Sequence, residues 1–445
     1  MGSEWREHSL GELCSLITDG KHGDCRNEAG SGYYFLSVKD VFGDRMVYDN
    51  ARQIMEADFA ETHRRTNLEP GDVLFTNTGT IGRMAIAPDD PKTSRTTFQK
   101  SVAILKPKRE IVLSRFLYFA LRFNNVRLSD YAAGTTQKNL LLKDLRAFTV
   151  LIPPLAEQKA IASILGALDD KIELNRRMNA TLEGMARALF QSWFVDFDPV
   201  RAKLDGRKPE GMDKATAALF PDSFEDSLIG PVPKGWKVER FDAHITADRG
   251  LSYKGEGLRD DRTGLPMHNL NSIYEGGGYK HEGIKYYQGE YREKHLLAPG
   301  DMIVTNTEQG FDHMLIGHAA IVPECFGSKG IYSHHIYRIR HKPASPLRPH
   351  YLVKLFNNRR WHYWISGFSN GTTINMLPMD ALEMPMLVVP PVELVKNFTA
   401  LAEASHIQTE ANLHESRTLA TLRDTLLPKL LSGELNVASI PKVKA

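Results

Sequence analysis

The sequence predicts two mixed α/β (α+β) globular domains in tandem, each followed by one long α-helix, with the two helices pairing as an antiparallel coiled coil. Three observations lead there: the chain repeats itself about half its length apart, each copy ends on a Pro-Pro pair, and each pair opens about 40 residues of helical periodicity. Trp5 recurs as Trp236, a shift of 231, and Leu68-Glu-Pro-Gly-Asp72 with Thr76-Asn-Thr78 recurs as Leu297-Ala-Pro-Gly-Asp301 with Thr305-Asn-Thr307, a shift of 229. Ile81-Gly82-Arg83 matches Ile316-Gly317-His318 at 235, Phe123-Asn124-Asn125 matches Phe356-Asn357-Asn358 at 233, and Gly134-Thr-Thr136 and Pro153-Pro154 match Gly371-Thr-Thr373 and Pro390-Pro391 at 237. The order never changes, and the largest step, six residues, falls between Thr307 and Ile316. So long a period marks a duplicated domain rather than a solenoid.

The first globular domain takes residues 1–152. Short β-like runs at Tyr33–Val38, Val73–Thr76, Val102–Leu105 and Phe148–Ile152 alternate with turn signals, and Ser114–Leu128 repeats its apolar residues at helical spacing. Residues 153–198 follow with no proline from Leu155 to Phe194, and Ile161, Leu165, Leu168, Ile172, Asn175, Asn179, Leu182, Ala186, Leu189 and Trp193 succeed one another at steps of three and four. That is a coiled-coil seam on a helix roughly 60 Å long. Residues 199–234 carry Asp205-Gly-Arg-Lys-Pro, Phe220-Pro-Asp and Pro231-Val-Pro-Lys-Gly, which is linker chemistry and permits the chain to reverse. The second domain, 235–389, repeats the strand-like runs at Met302–Thr305 and Met386–Val389 and the helix at Pro349–Asn357. In the second helix, 390–435, Phe398, Leu401, Leu419, Leu422, Leu426 and Leu430 keep the seam at its ends while the middle is polar; residues 436–445 form a tail. At shift 237 Asn175 falls on Asn412, and polar residues within such seams either fix register or lie on a solvated face. Antiparallel packing of the helices would place the two domains at opposite ends, related by a pseudo-two-fold axis.

Composition permits sizeable cores, with 445 residues and 42% hydrophobic residues. Three cysteines without a C-x-x-C argue against a disulfide framework or a zinc knuckle. The N-terminus has no apolar signal core and no run approaches about 18 apolar residues, so the chain reads as cytoplasmic. A net charge of +2 neither indicates nor excludes nucleic acid. Duplex DNA is itself pseudo-two-fold symmetric, and its readers place two units about one turn, roughly 34 Å, or a multiple of it apart. A scaffold holding two protein partners would look the same.

Pro153-Pro-Leu-Ala-Glu-Gln-Lys-Ala-Ile161, Leu168-Asp-Asp-Lys-Ile-Glu-Leu-Asn175, Phe190-Gln-Ser-Trp-Phe-Val-Asp-Phe-Asp198 and Leu427-Pro-Lys-Leu-Leu-Ser-Gly-Glu-Leu435 resemble the specificity subunit of bacterial type I restriction-modification enzymes, and the resemblance covers essentially the whole chain. It implies two target-recognition domains, similar in fold to that of adenine-specific DNA methyltransferases, each reading one half of a split, asymmetric site in double-stranded DNA. It further implies a chain without a catalytic centre that docks two methyltransferase subunits, joined in the full enzyme by restriction (translocase) subunits. S-adenosylmethionine, ATP and Mg are then expected on the partners. One departure is that shift 237 sets Leu394-Val395 against Glu157-Gln158, which suggests ends that hold their partners unequally.

The motifs agree: no N-P-P-[YF], no G-x-G-x-x-G after a strand and no G-x-x-x-x-G-K-[ST] occurs, so no catalytic residue is assigned. A solitary DNA-binding regulator and a DNA-free coiled-coil scaffold remain the alternatives. His313, His318, His334 and His335 are candidate metal ligands, but at shift 235 the last three fall on Arg83, Gln99 and Lys100, a hydrogen-bond-donating set, and no metal is assigned. For DNA contact the recurring loops are the candidates. Thr76, Asn77, Thr78 and Arg83, with Lys100, have Thr305, Asn306, His318 and His335 as counterparts, and the opposing reading is a self-satisfied structural turn. Thr135, Thr136, Gln137 and Lys138 have Thr372, Thr373 and Asn375 as counterparts; Gln137 suits adenine and Lys138 phosphate or guanine. Arg359, Arg360, Trp361 and Trp364 cluster in the second domain only, either as a DNA surface or as cations over a packed aromatic patch.

Overall fold

The structure, a computed structural model, describes residues 5–134, 138–309, 314–371 and 374–437. It divides into two compact units, one of residues 1–174 and 416–445 and the other of residues 175–415. The division falls inside the two long helices, Leu155–Phe194 and Val392–Leu431, each of 40 residues.

The first unit is organised on a four-stranded antiparallel sheet in the order Cys14–Asp19, Val102–Pro107, Val73–Thr76, Met84–Ile86. Because successive strand residues face opposite ways, Val73, Phe75, Ala103 and Leu105 enter one core and Leu74, Val102 and Ile104 another. The first core is closed by the helix Ser114–Phe123, which buries Phe116 through Leu121, and the second by Leu36 and Phe98 of a smaller sheet. In that smaller sheet Tyr34–Leu36 runs parallel to Thr96–Phe98. Arg6–Ser9 pairs with Thr149–Ile152 and ties the start of the unit to its end.

The second unit repeats the order as Ile245–Arg249, Ile336–His341, Met302–Thr305, Ala319–Ile321. Register is preserved: Thr76 opposes Val102 as Thr305 opposes Ile336, and Val73 opposes Leu105 as Met302 opposes Ile339. Face assignment is preserved too, with Met302 and Val304 in the main core and Ile303 in the other. Lys237–Arg240 pairs with Met386–Val389, and Leu265–His268 runs parallel to Gly330–Tyr332. Glycine marks one shared approach, since a Cβ on Gly20 would lie 1.8 Å from the Phe98 carbonyl oxygen and one on Gly250 would lie 2.2 Å from that of Ser333. The copies differ at the periphery: the first has an 11-residue helix, Glu56–Thr66, while the second widens the smaller sheet to four strands.

The long helices pack together and run antiparallel. In the first unit Ile161 and Leu165 share a core with Leu427, Leu430 and Leu431, and Asp169 meets Arg423 at 2.6 Å. In the second, Phe190 and Phe194 pack on Phe398 at 5.5 and 5.3 Å, and the middle of the seam is an amide cluster. There Asn175 donates to Glu415 at 2.7 Å and to the Asn412 carbonyl at 3.3 Å, and Asn412 donates to Asn179 at 2.8 Å. Asn175 and Asn412, equivalent positions in the repeat, therefore meet as buried hydrogen-bonding partners.

Two seam assignments need correction. Leu401 and Leu422 are 53% and 45% exposed, and the inward positions belong to Ala402 and Arg423. Leucine spacing points to the wrong residues because at one position the helix turns inward a residue too small to register and at the other a buried cation. Burial raises the Asp169 carboxyl above its ordinary value, and the Arg423 guanidinium against it offsets only part of that rise. The 199–234 segment is also more than a linker: Asp198–Leu204 is helical, and Val200 and Phe220 are buried with Trp193 and Trp236 in the second unit's main core.

Candidate nucleic-acid interface

At the end of a central strand in each unit the chain makes a similar turn, held in both by the strand-end threonine hydroxyl and a glycine N–H. Thr76 Oγ1 donates to the Thr80 carbonyl at 2.6 Å and accepts from Arg83 N–H at 2.9 Å, while Gly82 N–H returns to the Thr76 carbonyl at 2.9 Å. In the copy, Thr305 Oγ1 donates to the Leu315 and His318 carbonyls, and Gly317 N–H returns to Thr305 at 2.9 Å. Gly82 and Gly317 have φ of 89° and 82°, which is why glycine recurs there. Asn77 N–H donates to Ser101 and its carbonyl accepts from Leu140; Asn306 N–H donates to His335 and its carbonyl accepts from Leu377. Thr76, Asn77, Thr305 and Asn306 are each at most 3% exposed, so their side chains serve chiefly to hold the turn.

These bonds also correct one alignment. Lys100 N–H donates to the Lys21 carbonyl as His334 N–H donates to Leu251, so Lys100 corresponds to His334, and His335 to Ser101, at shift 234 rather than 235. The slip arose because no identical residue anchors the interval after Ile316-Gly317. His335 bonds Thr307 Oγ1 through Nδ1 at 3.0 Å, and burial lowers its pKa. His318 is stacked on His362 at 3.8 Å and buried, which pushes its pKa down to about 4 and keeps the ring neutral. His318 is therefore packed within the fold, whereas His335 is half-buried and less exposed than Lys100. Asn375, 4% exposed, is likewise internal, paired across strands with Glu308.

What remains outward lies around the turn. Thr78 Oγ1 donates to Asn139 at 2.8 Å, and Arg83 donates to the Val38 carbonyl at 3.1 Å while its guanidinium lies 5.5 Å from the Phe42 ring. Lys100 and Lys138 are exposed and make no ion pair among the described residues. A cleft of about 420 Å³ opens here, lined by His22, Arg65, Asn77, Thr78, Lys100 and Asn139. Arg65 is paired with the buried Asp19, which leaves Lys100 as the cation on the cleft free to meet a phosphate. Thr135, Thr136, Gln137, Thr372, Thr373 and His313 lie outside the described residues.

The second unit has a larger cleft, about 630 Å³, that sequence reasoning missed, carrying Lys254, Arg259, Arg292, His295 and the 46% exposed Tyr291. Its signal was present in Tyr253-Lys-Gly-Glu-Gly-Leu-Arg259, a basic and glycine-rich run with no counterpart in the repeat. The Arg359–Trp364 cluster divides between its two readings. Trp361 packs on Phe241 at 5.5 Å, whereas Arg359, Arg360, Trp364 and the 82% exposed Tyr363 face outward. Gln158 is resolved as well. It is 1% exposed, and its amide accepts from Leu113 N–H and donates to the Ile111 and Pro153 carbonyls, all at 2.9 Å. It docks the first long helix onto its own domain, a task the buried Val395 performs by apolar packing in the second, so the Glu157-Gln158 departure marks an internal difference at that residue.

Residues 2–184 match the family model described as the type I restriction modification DNA specificity domain. Over 92% of this chain and 88% of the other, the sequence is 24% identical to the type I restriction enzyme MjaIX specificity subunit of Methanocaldococcus jannaschii. Over 97% of this chain and all of the other, it is 23% identical to the type I restriction enzyme HindI specificity subunit of Haemophilus influenzae. The fold is that of a type I restriction-modification S subunit from M. genitalium, with a TM-score of 0.55 at 13% identity over 100% of this chain and 98% of that one.

Proposed function

Because residues 2–184 belong to the type I restriction modification DNA specificity family and the similarity continues along the chain, we propose that the protein is the non-catalytic specificity subunit of a type I restriction-modification complex. Each globular half reads one half of a bipartite, asymmetric site in double-stranded DNA. The long helices set the unread spacer and dock two methyltransferase subunits, and restriction subunits complete the assembly. The observation that carries the reading is the near full-length similarity to specificity subunits in a chain whose two halves repeat one fold, strand order and register alike.

Lys100 and Lys138 supply phosphate contacts beside the first turn, and Arg83 and Thr78 border them; Gln137 reads a base edge. In the second half, Lys254, Arg259 and Arg292 take the phosphate-binding part. The buried Thr76, Asn77, Thr305 and Asn306 act by holding those surfaces in place. S-adenosylmethionine, ATP and Mg belong to the partners, and the assembly works in the cytoplasm. Methyl transfer tests the proposal: the purified chain leaves DNA unmethylated, and its mixture with a cognate methyltransferase subunit modifies adenines at one split site. Methylation by the chain alone, or tight and sequence-specific repression without any partner, would overturn it.

A further inference from the structure

We propose that His281, Cys325 and Glu410 form a zinc-binding site in the second unit. The three come from separate segments, the short turns His281–Gly283 and Glu324–Phe326 and the second long helix. One donor atom from each lies within 4.8 Å of the other two. Donors held tetrahedrally at about 2.0–2.3 Å from zinc stand roughly 3.3–3.7 Å apart. His281 Nε2 and the Glu410 carboxylate are already 3.5 Å apart, longer than the roughly 2.7–2.9 Å of a charge-assisted hydrogen bond and equal to an edge of that tetrahedron. Bringing the thiol to the same separation takes about 1 Å, which rotation about side-chain bonds of the exposed Cys325 supplies.

The donor set selects the metal. Thiolate, imidazole and carboxylate together suit zinc, whereas magnesium and calcium take oxygen ligands. Tyr279 and Phe326 pack their rings against His281 at 5.0 and 5.9 Å and wall one side of the site with apolar surface. The Tyr279 hydroxyl is engaged with His268 Nδ1 at 2.8 Å. The three side chains leave the fourth position of the tetrahedron to water. Bound zinc would fasten both turns onto the long helix. The first unit has Asp90-Pro91 where shifts of 235 and 234 place Cys325, so the clamp belongs to the second unit alone.

Thiol protection in the full-length chain tests the site. Cys14 and Cys25 are each 4% exposed, so Cys325 is the thiol that a maleimide reaches in the folded protein. One equivalent of zinc should slow its alkylation by about tenfold or more, while magnesium leaves it unchanged. Cobalt should give a thiolate charge-transfer band that Cys325→Ser removes, and His281→Ala and Glu410→Gln should each weaken zinc binding about tenfold with the circular dichroism spectrum retained. Equal alkylation rates with and without zinc, absence of the cobalt band, or wild-type affinity in the His281 and Glu410 variants would overturn the assignment.

Discussion

Replacing Gln158 by leucine keeps nearly the same volume and removes all three of its hydrogen bonds. The perturbation is confined to the place where the first long helix meets its domain. Leu113 N–H, at the start of the helix Ser114–Phe123, loses its acceptor, and the carbonyls of Ile111 and Pro153 each lose a donor, all beside a side chain only 1% exposed. A buried group left unpaired costs about 1–3 kcal/mol, so three such losses come to roughly 3–9 kcal/mol. Leucine's added apolar burial offsets about 1 kcal/mol, leaving a destabilisation of at least about 2 kcal/mol. At urea slopes of about 1–3 kcal/mol per molar, the unfolding midpoint of the first unit should fall by roughly 1 M or more. Hydrogen exchange of the 113–123 amides should rise with it. Val395→Leu adds a methylene to a fully packed apolar contact and should cost about 1–3 kcal/mol in the second unit through overpacking, with no hydrogen bond lost. A loss below about 1 kcal/mol for Gln158→Leu would refute the claim that this amide docks the helix.

Two further predictions follow from particular contacts. His318 is held neutral down to about pH 4, against 6.5 when free, so below pH 6.5 the unfolded chain takes up a proton that the folded chain refuses; stability is full above pH 6.5 and falls as pH drops towards 4, by about 3 kcal/mol for this residue. His318→Gln should flatten the urea midpoint of the second unit across that window, and an unchanged slope would show the ring is not the titrating group. Four residues inserted near Asn175 and four near Asn412 add one turn, about 6 Å, to both helices and keep their apolar phase, so the methylated site should gain one or two unread base pairs; a protein that assembles yet keeps the original spacer would show that the helices do not set it.

The duplication was legible because its anchors, Pro-Gly-Asp turns, Thr-Asn-Thr and Pro-Pro, are residues whose backbone roles tolerate little replacement. One subtraction made Asn175 and Asn412 legible as equivalent positions, but their hydrogen bond was not, since a polar seam residue reads alike on a solvated face. Arg423 escaped notice because apolar periodicity cannot register a buried cation whose partner, Asp169, is 254 residues away in the chain. The Thr and Asn of the recurring turn were legible as a recurring motif but not as buried, since a strand-end polar residue reads alike whether it bonds its own turn or a phosphate. The His281, Cys325 and Glu410 cluster was invisible for a related reason: its members have no shared spacing and meet only after folding.

The proposed function requires two halves that read DNA separately. Methylome sequencing of a host carrying the methyltransferase subunit and a version of this chain with residues 5–150 replaced by the equivalent domain of a relative measures that directly. One half of the methylated site should change while the other half stays as the parent chain set it. Alteration of both halves in an active hybrid would contradict the account.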